Sequence, residues 1–123
     1  MLAVALAHHR GALRASLIAD CNGLRLADAV TWPAREFADI VAWLPPGSAL
    51  WRDMGGPAAL SEEVRMLRAV EFGLRVLDWR MRQGKGQRPR PLPDPPYAHE
   101  RRAAEAKQRR KAESFLKRSQ GRI

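Results

Sequence analysis

The sequence predicts an all-α protein: a small domain of about four helices over residues 1–84, a proline-rich linker over 85–97 and a basic helical tail over 98–123. Three observations predict it. Apolar residues recur three and four apart in several separate stretches, the spacing that stacks side chains on one helical face. Alternation suited to strands is nowhere sustained. Proline and glycine clusters (Pro45-Pro46, Gly55-Gly56-Pro57, Gly84) fall between the periodic stretches and cut them into separate elements.

Residues 2 to about 20 read as the first helix, with Leu2, Leu6, Leu13 and Leu17 near one face and Gly11 weakening its middle. His8 and His9 are adjacent, so they point apart and read as plain surface or boundary histidines, not a metal grip. Asn22-Gly23 suits a helix stop, after which Leu24 and Leu26 tuck into the core as the chain reverses. The second helix, about 32–44, takes Thr31 as its cap and Pro33 in its first turn. Phe37, Ile40, Val41 and Leu44 supply its buried stripe, and Pro45-Pro46 ends it. Ser48 caps a short third helix, about 48–54, that Gly55-Gly56-Pro57 closes. Trp32, Trp43, Trp51 and Trp79 read as core and domain surface.

The fourth helix, about 61–82, carries the longest apolar stripe: Val64, Leu67, Val70, Leu74, Leu77 and Met81, widened by Met66, Val76 and Trp79. Ser61 caps it, Glu62 and Glu63 suit its positive end, Arg80 and Arg82 suit the other, and Gly84 stops it. Such a stripe predicts a central helix packed on more than one neighbour. Truncating Leu74 or Leu77 to Ala would then cost about 2–5 kcal/mol.

Charge separates this domain from the rest of the chain. Residues 1–84 hold ten Lys/Arg against nine Asp/Glu, whereas residues 85–123 hold twelve against four, so nearly all of the net +9 belongs to the tail. Pro89, Pro91, Pro93, Pro95 and Pro96 favour an extended linker. Beyond Tyr97 the chain is rich in Ala, Glu, Lys and Arg, a basic helix that stays frayed or disordered unless a partner covers it. Its candidate partner-binding residues are Arg101, Arg102, Arg109 and Arg110, with Phe115 and Leu116 as an apolar anchor.

No glycine-rich phosphate loop, metal-spaced set or nucleophile with a base is visible, which points away from an enzyme and from any cofactor. The single Cys21 excludes an internal disulfide and fits a reducing compartment. The apolar start has no basic segment before it and is interrupted at His8, His9 and Arg10, and no run reaches the ~18–20 apolar residues of a membrane span. These features predict a soluble cytoplasmic protein without a membrane partner.

The segments NGLRLADAVTW, VAWLPPGSALWRDM and VLDWRMRQGKGQRPRPLP, in that order, resemble a small family of actinobacterial phage and prophage proteins encoded among tail genes, the tail assembly chaperones. The resemblance covers about residues 13–93, and LPPGSAL and the Gly84-Lys85-Gly86 join to the prolines are its most specific parts. It implies a non-catalytic chaperone of the host cytoplasm that binds the phage tape measure protein or the tail-tube protein during tail assembly. The chain resembles the frameshift extension of such chaperones, or a free-standing version that begins at its own methionine. Self-association into a homo-oligomer is compatible with that role. The rival reading is a nucleic-acid binder whose basic tail holds phosphates without sequence preference; another phage structural protein is a third.

Overall fold

A computed structural model describes residues 1–120, and among them it contains seven α-helices and one 3-10 turn, with no strand. The all-α class is as the sequence predicts, but the division into helices is finer and the long helix over 62–81 contributes no buried residue to the core.

The expected first helix is two, α1 (Leu2–His8) and α2 (Arg10–Asp20). The break is at His9, not at Gly11: His9 leaves helical geometry at φ −128°, ψ 29°, although its amide still bonds to Ala5 and its carbonyl accepts from Leu13. That kink lets Ala5 join Leu13 and Leu17 in one buried cluster. Asn22 (φ 54°) and Gly23 (φ 82°) end α2, and the Gly23 amide reaches the Ile18 carbonyl at 3.0 Å, satisfying a carbonyl the helix leaves open. The chain then makes a one-turn helix, α3 (Leu26–Ala29), in place of the simple reversal that the sequence suggests. Leu26 is buried and Leu24 packs against the cluster, as their spacing implies.

Thr31 does not cap the next helix. Its hydroxyl donates to the Asp28 carbonyl at 2.7 Å and closes α3, which leaves Pro33 at the cap of α4 (Ala34–Ala42). Phe37, Val41 and Leu44 are buried and Ile40 sits at the margin, the arrangement their spacing predicts. In α5 (Ala49–Met54) Leu50 is fully buried, and its amide donates to the Ser16 hydroxyl of α2 at 2.8 Å. Ser48 stands at the cap position without making the cap bond. Trp51 packs on the cluster and donates its indole N–H to the Leu44 carbonyl, whereas Trp43 is exposed. Gly55 and Gly56, both with φ above +80°, lead into the 3-10 turn Pro57–Ala59.

The core is therefore closed by the short helices between Ala5 and Ala59. Burial of Leu13, Leu17 and Leu50 contributes about 1.5–3 kcal/mol each. The long helix, α6 (Glu62–Met81), begins and ends as predicted. Ser61 accepts from the Val64 amide at 3.4 Å, and Gly84 (φ 70°) returns its amide to the Trp79 carbonyl. Yet no residue of α6 is buried. Leu67, Val70, Leu74, Leu77 and Met81 are all more than half exposed, which overturns the expectation of a central helix. Periodicity identifies a face that favours a cover, but it does not say that the cover lies in the same chain.

Candidate partner-binding surfaces

The first surface is the open face of α6. Leu67, Val70, Leu74, Leu77 and Met81 are spaced three, four, three and four apart, the a/d repeat of a helix that packs lengthwise on another helix. Met66 lies beside this seam, and so does Gly73, where an added Cβ would meet nothing within 4 Å. A partner backbone can therefore approach closely there. Along the other edge run Glu71 and Asp78, each held by an arginine one turn on: Arg75 at 2.9 Å and Arg82 at 3.1 Å. At the amino end of α6, hydrogen bonds from its own backbone amide and from Ser61 hold the Glu63 carboxyl below the usual carboxylate range. From Leu67 to Met81 the seam is about 21 Å long.

The opposite side of α6 is partly covered. The proline segment does not extend away as a free spacer but turns back along the helix. The Trp79 indole N–H donates to the Gly86 carbonyl at 3.3 Å, and the Arg68 guanidinium donates to the Pro93 carbonyl at 3.1 Å. Between these ties Phe72 faces Gln87 to Pro91 across an open cleft. Proline carbonyls accept hydrogen bonds while the ring removes the donor, so such a strap suits a helix side that presents N–H donors.

The strap ends on the core domain. The Gly56 amide donates to the Pro95 carbonyl at 2.9 Å, and the Tyr97 ring lies against Gly56. A Cβ on Gly55 would collide with the Pro96 carbonyl. These two glycines have a positive φ and a close neighbour, so the position needs residues without side chains. From there α7 (Ala98–Gln120) departs, and the Glu100 carboxylate reaches back to the Tyr97 amide at 2.9 Å as a cap. Arg101, a candidate partner contact, donates to the Asp53 carbonyl and ties the first turn of α7 to α5. Arg102 lines a small cleft with His9, Asp53 and Glu105. Arg109, Arg110, Phe115 and Leu116 lie farther along α7 and are exposed, and no residue of α7 is buried. The structure thus splits the six candidates between an anchored base and an open arm.

His9 is the residue that sequence reasoning misses. It is buried, only 7% exposed, and its Nδ1 lies 2.7 Å from the Asp53 carboxylate, so it is not the plain boundary histidine expected; His8 is exposed. The partner is 44 residues away, and no local pattern announces it. Cys21 is partly buried, and burial, with a smaller push from the charge of Asp20, raises its thiol above the ordinary range. That makes it a poorer nucleophile at neutral pH. Among the described residues no three His, Cys, Asp or Glu side chains are grouped to hold a metal ion, and no helix is long and apolar enough to cross a membrane. No protein-family model, curated protein or solved structure matches this chain.

Proposed function

We propose that this protein is a non-catalytic assembly chaperone of phage tail morphogenesis, acting in the host cytoplasm and holding the tape measure protein, or the tail-tube protein, in an assembly-competent state. The observation that carries the reading is the uncovered a/d seam of α6. A regular apolar seam favours an α-helix laid along it, and a tape measure protein is a long helical partner. The arm α7 supplies a second contact through Phe115 and Leu116, with Arg109 and Arg110 one to two turns earlier on the same helix. Two weak contacts on one chain strengthen each other, because the second forms at high effective concentration.

The test is a pull-down and titration against the tape measure protein of the same phage. Leu74→Asp with Leu77→Asp should abolish binding while circular dichroism stays native. Phe115→Ser with Leu116→Ser should weaken it less. Retained binding by the first variant would refute the seam as the seat. The nucleic-acid reading rests on α7, which carries eight Lys/Arg against three Glu in an exposed helix. It predicts duplex-DNA binding that falls steeply with salt and ignores the α6 substitutions.

A further inference from the structure

We infer that Arg10, Arg14 and Arg25 form a receptor for a short acidic peptide segment that carries an aliphatic side chain. The inference does not rest on the assembly role or on α6. Arg10 and Arg14 stand one turn apart on α2, and Arg25 stands at the cap of α3 in extended geometry. The Arg25 carbonyl accepts from the Asp28 and Ala29 amides, which fixes the backbone that presents its side chain. Together the three line a cleft of about 290 Å³ whose remaining lining is Ile18, Leu26 and Ala27. No carboxylate lines that cleft, and none of the ion pairs among the described residues involves these arginines. Three guanidiniums gathered without a counter-charge repel one another, and an incoming anion relieves this. Each can also grip a carboxylate with two parallel N–H donors.

The floor decides which anion. Ile18 is half exposed with no apolar cover, while Leu26 beneath is buried, so the cleft pairs an aliphatic base with a cationic rim. A single-stranded nucleic acid would need a flat aromatic face for its bases, and no aromatic residue lines the cleft. Pockets for drug-sized ligands run from roughly 300 to 1,000 Å³, so this one takes a side chain or two, not a helix. A leucine or isoleucine seated on Ile18 and Leu26, with glutamates beside it meeting the arginines, satisfies both parts.

The test uses the full chain and a fluorescein-labelled peptide, Glu-Glu-Leu-Glu-Glu, followed by anisotropy. A Glu-Glu-Ser-Glu-Glu peptide and a short oligothymidylate serve as comparators. All three arginines are exposed, so Arg14→Ala and Arg25→Ala leave the fold intact, which circular dichroism verifies. Each should weaken binding of the leucine peptide by about tenfold. Ile18→Ser should erase the preference for the leucine peptide over the serine peptide. Arg109→Ala with Arg110→Ala should leave that preference unchanged. The inference is overturned if the wild type binds both peptides equally or neither, or if loss follows the tail arginines. It is also overturned if the oligothymidylate binds more tightly in an Arg14-dependent way, which would make the cleft a phosphate site.

Discussion

Ser16 sits among the leucines of α2 almost without exposure, and its hydroxyl answers the Leu50 amide at the start of α5. A hydroxyl in an apolar cluster is costly unless it is paired, and this pairing also serves one of the amides a helix start leaves free. Ser16→Ala should therefore destabilise by about 1–3 kcal/mol, measured as a shift in urea unfolding, although it removes only one atom. His9 makes the complementary contact from the α1–α2 junction to Asp53. Because Asp53 is about half exposed, water screens the pair, and Asp53→Asn should cost no more than about 1 kcal/mol. His9→Ala should cost more, since it also empties a buried site. Neither contact is legible in the sequence. Each joins residues more than thirty positions apart, and single-residue chemistry does not name its partner.

At the scale of elements, legibility follows locality. The stops at Asn22-Gly23 and Gly84, the Ser61 cap and the buried stripe of α4 depend on residues within a turn or two, and the sequence states them. The one-turn α3 and the break at His9 depend on how neighbouring helices meet, and no periodic signal foretells them. The role of α6 departs from its sequence pattern for a physical reason: an amphipathic stripe looks the same whether its cover is this chain or another. Leu74→Ala and Leu77→Ala should therefore change stability by less than about 0.5 kcal/mol, as surface positions do. Leu13→Ala or Leu50→Ala should cost about 2–5 kcal/mol. Thermal melts of the four variants check the contrast. Glu63 adds a pH dependence to the start of α6. Its carboxyl is held below the usual range, so its contribution is present above the unfolded value and is lost as pH falls through the folded one. Fraying of the first turn on acidification, followed by amide exchange, is the expected sign.

For the whole molecule, the candidate arm is only half legible. Composition marks a linker and a basic helix, but the strap along α6 and its seat on Gly55 and Gly56 depend on the fold of the front domain. Truncation after Gly86 should leave the cluster between Ala5 and Ala59 folded, with a cooperative melt, while uncovering Phe72 and Trp79 and lowering solubility. Gly55→Ala in the full chain should loosen the arm without opening that cluster, seen as faster amide exchange confined to residues 86–100. The central claim is that α6 is built for a partner outside this chain, and under the proposed function a titration against the tape measure protein tests it most directly. Titrated by calorimetry, Leu74→Asp with Leu77→Asp should reduce that affinity at least a hundredfold, the effect of losing two buried leucines at about 1.5–3 kcal/mol each, with the melting temperature unchanged. An unchanged affinity in a folded double variant would contradict the account.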